Sequence, residues 1–327
     1  MRAAVCRRYG PPEIVGIEEV EAPVPGEGEV LIAVRAASIN PMDSHLIKGK
    51  PAIARLFLGL RRPKRNRPGV DVAGLVEAVG PGVTRFRPGD AVFGVCRGAL
   101  GERACAAESR LAAKPANVSF AQAAAVPVAG FTALQGLRKA GVASGHKLLV
   151  NGAAGGIGSF AVQIAKAMGA EVTGVCSARN VELVRGIGAD HVIDYGKEDF
   201  TCGAARYDRI FDLITNHPFS AMRRVLTPGG KIVTGGGPGY DGLGVGRWAA
   251  RLIGGLVTSR FTREKLIPLS AKVDAGDLAL LADMLEAGKI TPLIESCYSL
   301  DESGAAIREV ADGHARGKVI VLVGDEE

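Results

Sequence analysis

From Met1 to about Ala112 the chain alternates short apolar runs with turn residues. IVGIEEV (14–20), EVLIAVRAASI (29–39), VDVAGLVEAVG (70–80) and DAVFGVC (90–96) are separated by PGEGE, GPGV and RPGD. Runs of this length, bounded by proline and glycine, predict a β-rich domain of twisted antiparallel strands. Gly80-Pro81-Gly82 and Pro88-Gly89-Asp90 are turns with a mechanism: proline presets φ and glycine supplies positive φ. From Phe120 to about Leu137 the spacing becomes helical. From Lys147 onward strands and helices alternate, with strands expected at 147–151, 171–176, 191–194, 208–214 and 230–235. Segments long enough for crossover helices join them, which predicts a parallel, doubly wound sheet. The tail, 289–327, returns to short strands, of which KVIVLVG (318–324) is the clearest. It is expected to rejoin the first domain, so that the parallel-sheet domain is inserted between two parts of the other.

Leu148 to Gly169 carries the first chemical signal. Leu148, Leu149 and Val150 read as a buried strand, and the turn Ala153-Ala154-Gly155-Gly156-Ile157-Gly158 follows directly. Ile157, Phe160, Ala161, Ile164, Ala165 and Met168 then share one helical face, which Gly169 closes. Strand, glycine-rich turn and helix form the first unit of a dinucleotide-binding fold, where free N–H groups and a partial positive charge meet a pyrophosphate. The fingerprint G-x-G-x-x-G is met imperfectly, since Ala153 stands at its first glycine. A second strand begins at Glu171, as a βαβ crossover requires. Where that strand ends, folds specific for NAD place an acidic residue against the ribose hydroxyls. Ser177-Ala178-Arg179 stands there instead, and a hydroxyl followed by a guanidinium suits a 2′-phosphate. NADPH is therefore expected over NADH.

Composition narrows the class. A chain of 327 residues is a soft argument for two domains, and 47 % hydrophobic with 23 % charged residues suits a folded enzyme. The first residues, MRAAVCRRYGPPE, lack the apolar core of a signal peptide, and no long uncharged apolar run suggests a membrane span. Six scattered cysteines without a CxxC pair read as free thiols in a reducing cytoplasm. The net charge is +6, and Lys48, Lys50, Arg55, Arg61, Arg62, Lys64, Arg65 and Arg67 crowd one segment. Aromatic residues do not interleave with them as a single-strand nucleic-acid platform needs. The segment is read as a solvated loop near a cleft that attracts a phosphorylated cofactor, and nucleic acid is not the expected partner.

AASINPMDSHLIKG (36–49), RPGVDVAGLVEAVGPGVTRFRPGDAVFG (67–94), AAAVPVAGFTALQGL (123–137), NGAAGGIGSFAVQIAKAMGAEVTGVCS (151–177), GADHVIDY (188–195) and GHARGKVIV (313–321) occur in one order along the chain. In that order they resemble the medium-chain dehydrogenase/reductase superfamily, in its zinc-independent quinone oxidoreductase branch. The resemblance covers essentially the whole chain. It implies an α/β protein with a β-rich GroES-like catalytic domain (1–122 and 269–327) and a Rossmann domain (123–268). The zinc alcohol dehydrogenases of that superfamily use a cysteine after the early strand and a Gly-His-Glu on the next. Here Asn40 stands at the cysteine, and Gly69 is followed by Val70 and Asp71. Zinc takes thiolate, imidazole or carboxylate, which asparagine and valine do not provide. The histidines (His45, His146, His191, His217, His314) show no ligand spacing. No zinc is expected, and without that Lewis acid alcohol oxidation is disfavoured. Hydride transfer from NADPH to an electrophilic quinone, enone or alkenal is the activity implied.

The resemblance also assigns residues. Gly155, Gly156, Ile157, Gly158, Ser177, Arg179 and Tyr195 are implied to hold the cofactor's phosphates. Asn40, Thr132, Asn216, Gly235, Gly236, Gly237, Phe261 and Lys318 are implied nearer the nicotinamide side. Asn40 and Asp43, in the INPMDSH loop beside the nicotinamide, are the candidate catalytic residues. Asn40 would donate to the acceptor oxygen, while Asp43 is open between orienting water and capping its own loop. Relatives form homodimers through edge strands, but Trp248 to Arg263 reads as a helix, which does not favour that pairing. The other class left open is an NADPH-binding sensor, structural or RNA-binding protein with little catalysis.

Overall fold

The computed structural model describes residues 1–50, 55–64, 66–235, 244–313 and 315–324, without the side chains of 57, 58 and 245. Gly236 and Gly237, expected at the cofactor, lie outside the described residues, as do Arg65 and His314. The chain divides into two compact units, Met1–Phe131 with Val273–Glu327, and Thr132–Lys272.

The first unit contains β1 (Arg2–Val5), β2 (Gly16–Glu19), β3 (Glu29–Ile39), α1 (Pro41–Lys48) and α2 (Arg55–Leu58). These are followed by β4 (Asp71–Val79), β5 (Ala91–Val95), β6 (Arg103–Ala107), β7 (Leu111–Ala113) and α3 (Phe120–Ala124), and the unit boundary falls within α4 (Pro127–Ala140). The second unit holds β8 (Lys147–Asn151), α5 (Gly156–Ala167), β9 (Glu171–Cys176), α6 (Val181–Gly186), β10 (His191–Asp194) and β11 (Tyr207–Asp212). It continues through α7 (Phe219–Arg223), β12 (Leu226–Thr234), α8 (Val245–Phe261) and β13 (Lys265–Pro268). The tail supplies α9 (Ala275–Glu286), β14 (Ile294–Ser299), α10 (Ser303–Ala311) and β15 (Lys318–Leu322) to the first unit.

The first unit is built on a seven-stranded sheet in the order β14-β15-β3-β4-β5-β7, with β6 also paired to β3. The length of β3 makes this possible. Its last residues, Ala36 to Ile39, pair antiparallel with β15, and its first, Glu29 to Ala33, pair with β6. Val30, Ile32, Val34, Ile39, Val72, Val92, Leu111, Val319 and Val321 fill one continuous core, each almost wholly withdrawn from water. Burial of that apolar surface is the main stabilising contribution of the unit.

The second unit carries a six-stranded, wholly parallel sheet in the order β10-β9-β8-β11-β12-β13. Numbered within the unit, this is 3-2-1-4-5-6, the doubly wound order in which the chain reverses direction between β8 and β11. Ligands of such sheets sit at the carboxyl ends of the strands beside that switch point. Leu148, Leu149 and Val150 are fully buried, as are Ile210 and Phe211.

Four expectations are corrected. INPMDSH is not a loop: Pro41 opens α1, and its fixed φ is preorganised for a first helical position. The helical stretch 120–137 is two helices, because Pro127 has no N–H with which to continue α3. A sixth strand, β13, follows α8, and β12 begins at Leu226 rather than at 230. The tail is not strands alone, since α9 and α10 lie among them. Among the described residues no helix is long and apolar enough to cross a membrane.

Candidate active site

In the second unit the glycine-rich turn is shaped by close approaches. Gly152 has φ of +92°, and both its N–H and that of Ala153 donate to the Val175 carbonyl, at 3.1 and 3.0 Å. Gly152 thus makes the tight turn that the fingerprint assigns to its first glycine, one residue before Ala153. A Cβ at Gly158 would stand 2.0 Å from the Gly152 carbonyl oxygen, so α5 can lie this close to β8 only with glycine there. Gly155 is the N-cap of α5, and a Cβ on it would meet nothing nearer than 3.5 Å. The free N–H groups of this first turn, with the helix dipole behind them, form an anion site of the kind that takes a pyrophosphate.

The ends of the next two strands come together. The Tyr195 N–H donates to the Cys176 carbonyl at 3.0 Å, which sets Tyr195 beside Ser177. Ser177 opens a single helical turn, Ala178–Asn180, and its Oγ accepts from Asn180 Nδ2 at 3.1 Å. Arg179 and Tyr195 are exposed. The structure therefore brings Ser177, Arg179 and Tyr195 to one end of β9 and β10.

At the switch point stands a buried pair the sequence reading did not name. Asn151 Nδ2 donates to Asp212 Oδ1 at 2.8 Å and to Asn216 Oδ1 at 3.0 Å. Asp212 Oδ1 also accepts the N–H groups of Thr215, at 3.0 Å, and Ile214, at 3.2 Å. These bonds support Thr215 at φ of +60°, uncommon for a β-branched residue, and lead the chain to the exposed Asn216. Desolvation pushes the Asp212 pKa upward. Gly235 follows β12 and donates its N–H to the Asp212 carbonyl at 3.0 Å. Thr132 is half-buried in α4. Phe261 ends α8 with 86 % of its surface exposed.

In the first unit Asn40, Asp43, Asp71 and Lys318 form one buried polar cluster. Asn40 is the N-cap of α1, and its backbone N–H donates to Asp43 Oδ2 at 2.8 Å. Asp43 Oδ1 accepts from the Gly69 N–H at 3.0 Å. The Asn40 amide is engaged at both ends: Nδ2 donates to Asp71 Oδ2 at 2.9 Å, and Oδ1 accepts from Lys318 Nζ at 2.7 Å. Asp71 Oδ1 accepts from the Val128 N–H at 3.0 Å, and Oδ2 faces Lys318 Nζ at 3.5 Å. Burial raises the pKa of Asp71 and lowers that of Lys318. Burial also pushes Asp43 up to about 6, against two backbone N–H groups that favour its charged form.

This cluster sets what Asn40 and Asp43 are bonded to. The Asn40 amide already donates to Asp71, and Asp43, fully buried, spends both oxygens on backbone N–H groups. Asp43 is the cap of its own helix. Asp71 is the residue the sequence reading missed, noted only as standing where Gly-His-Glu has its glutamate. The asparagine-proline pair with an acidic residue at the third helical position was the available signal for the cap. Nothing local in VDVAG signals that Asp71 meets a lysine 247 positions away. Among the described residues no three His, Cys, Asp or Glu side chains are arranged to hold a metal ion.

Comparison with known proteins agrees with this fold. Residues 26–135 match the alcohol dehydrogenase GroES-like domain, and 187–321 match the family described as zinc-binding dehydrogenase. The chloroplast envelope quinone oxidoreductase homolog of Arabidopsis thaliana is 36 % identical over an alignment covering 94 % of each chain. The chloroplastic NADPH-dependent alkenal/one oxidoreductase of the same plant is 33 % identical, over 98 % of this chain and 79 % of that one. The structure of the quinone oxidoreductase from Coxiella burnetii superposes with a TM-score of 0.84 at 28 % identity, over 99 % of both chains. A doubly wound dinucleotide unit joined to a GroES-like unit, with relatives alike over nearly their full length, settles the membership: the chain belongs to the medium-chain dehydrogenase/reductase superfamily, in its quinone oxidoreductase-like branch.

Proposed function

We propose that this protein is a metal-free reductase that uses NADPH to deliver hydride to a quinone or to an activated carbon–carbon double bond. The carrying observation is the grouping of Ser177, Arg179 and Tyr195 where β9 and β10 end, next to the cradle of Gly152, Gly155 and Gly158. In this reading the N–H groups of Gly156 to Gly158, with Gly155 allowing close approach, hold the pyrophosphate, and Ser177, Arg179 and Tyr195 hold the 2′-phosphate. Thr132, Asn216, Gly235, Gly236, Gly237 and Phe261 remain assigned to the nicotinamide half. Bound NADPH supplies the hydride, and the electrophilic acceptor needs no Lewis acid to receive it. Relatives named as quinone oxidoreductases and as an alkenal/one oxidoreductase support that acceptor class.

The donor set around Asn40 does not fit zinc. The residue at the cysteine position is an amide, and the ammonium of Lys318 stands 2.7 Å from its oxygen, a cation already against Asn40 and Asp71. We assign Asn40, Asp43 and Lys318 as positioning residues, and the proton that completes the reduction comes from water.

The test is NADPH oxidation by chelator-treated protein with quinones and enones, with NADH in parallel. Turnover that survives chelation and prefers NADPH is expected. Arg179→Ala should raise the KM for NADPH at least about tenfold more than that for NADH, the size of a lost charge-assisted bond. Equal effects on both cofactors, or loss of turnover on chelation, overturn the reading.

A further inference from the structure

The basic segment 48–67 is not uniformly solvated. Arg55 lies over the Tyr9 ring at 4.6 Å and donates from Nε to the Gly49 carbonyl at 3.1 Å, whereas Arg61, Arg62 and Lys64 are exposed. The end of the segment turns into a cavity of about 480 Å³ in the first unit, lined by Asn66, Arg67, Arg97, Arg110, Cys96 and Asp43 among others. Its volume is that of a small-molecule site. Three arginines line it, against one acidic residue, Asp43. Burial pushes the Cys96 thiol up, so it adds no charge at neutral pH.

Arg67 is the anchored member. Its Nη2 donates to the Arg103 carbonyl at 3.0 Å and reaches the Gly98 carbonyl at 3.4 Å. Its Nε is buried without a hydrogen-bond acceptor. Folded proteins seldom leave a buried donor unsatisfied, and each case calls for an explanation. Gly98, at φ of +71°, lies against this nitrogen, and a Cβ there would stand 3.1 Å from it. Glycine therefore lets the backbone pack against this buried cationic donor with no side chain between them. The remaining lining includes Leu46, Ile47, Val70 and Val95, which suit the apolar body of a ligand with one charged end.

We propose that this cavity receives a carboxylate carried by the acceptor, so that the preferred substrates are quinones or enones with an acidic tail. The planar guanidinium fork matches a carboxylate, and three lining arginines outweigh Asp43 in charge. The cavity is lined by Gly69 and Val70, which precede Asp71 directly, and by Asp43, which also belongs to the polar cluster. The inference rests on the proposed reductase activity for its substrate, but the anion site can be tested apart from it.

The probe is a straight-chain enone ending in a carboxylate, compared with its methyl ester. The acid is expected to be reduced with a kcat/KM about tenfold above the ester, through a lower KM, as a charge-assisted bond provides. Arg97→Gln and Arg110→Gln, on exposed side chains whose loss does not threaten the fold, should each lower the acid-to-ester ratio. A ratio near one, or one unmoved by both variants, overturns the proposal. Calorimetric titration with the saturated keto acid, without NADPH, separates the two readings if neither enone is reduced. Binding that weakens in both variants then upholds the anion site while the reductase reading falls, and no binding overturns the site. Inorganic phosphate is the competing arm. Displacement of the keto acid by phosphate at equal concentration marks a general oxyanion site and overturns the assignment to the acceptor.

Discussion

Asp71 in the first unit and Asp212 in the second are both fully buried, and each accepts a hydrogen bond from an asparagine amide. They differ in what completes the shell. Asp71 Oδ1 takes a backbone N–H, and Oδ2 takes the Asn40 amide with the Lys318 ammonium beyond it. Asp212 gathers three donors on Oδ1 and leaves Oδ2 without a partner. The first arrangement ties residues 31, 57 and 247 positions away into one joint. The second takes two of its three donors from the next few residues, and its product is local, a turn with Thr215 at positive φ that presents Asn216. A paired buried carboxylate acts here as a long-range fastener, an unpaired one as the core of a turn.

The same substitution in the two places tests this, and the larger effect is expected at Asp71. Asp71→Asn removes the counter-charge of a lysine that is 4 % exposed and sets an amide among donors. Breaking a buried pair from one side costs about 3–5 kcal/mol, because the remaining charge is left uncompensated. Equilibrium urea unfolding followed by circular dichroism measures it. A loss below about 1 kcal/mol would mean that Lys318 is neutral in the folded protein, and the fastener would then be a set of neutral hydrogen bonds.

What could be read in the sequence follows the same division between local and distant causes. The turn from Gly152 to Gly158, the strands β8 to β10 and the helical character of 248–261 are local matters of spacing and glycine. These strands lie at their expected bounds, and the helix matches its expected stretch in outline. Even the imperfect fingerprint had a local answer, since Gly152 takes the positive φ one residue early. Lys318 and Asn40 were each singled out, but their contact spans 278 positions and no pattern near either announces it. Asp71 was hidden for the same reason, and Asp212 because an aspartate ending a buried strand has no period of its own. The unexpected strand β13 is four residues long, too short to stand out after α8.

Asp43 sharpens the comparison from within the first cluster. Burial lifts its pKa to about 6 from an ordinary 3.8, so the folded state holds its proton more tightly than the unfolded chain does. Stability from this group is therefore complete below about pH 4 and is lost as pH rises through about 6. Asp43→Asn lacks that slope. The advantage of the native protein over the variant should shrink by up to about 3 kcal/mol across this window. Urea midpoints taken at intervals of pH decide it. A gap that stays constant would show that the two N–H groups from Asn40 and Gly69 keep the carboxylate ionised despite its burial.

The smallest change is expected at Asp212. Asp212→Asn keeps an oxygen for the Asn151, Ile214 and Thr215 donors and replaces the partnerless Oδ2 with an amide nitrogen. Thr234 is the cross-strand neighbour of Asp212, and its buried Oγ1 is also without a partner, so the new amide nitrogen stays as unpaired as the oxygen it replaces. Loss of a buried, unpaired charge offsets the cost of an amide nitrogen without an acceptor, so stability should stay within about 1 kcal/mol of the native protein. Trp248 lines the same small void as Asp212 and Thr234 and is the single tryptophan, so its fluorescence reports the unfolding of this region. A loss of about 3 kcal/mol or more would require the charge on Asp212 to have a partner after all. His217 is the group placed to be one, because its charge favours the ionised form of Asp212. In that case both aspartates would be ion-paired, and the distinction between fastener and turn would rest on chain distance alone.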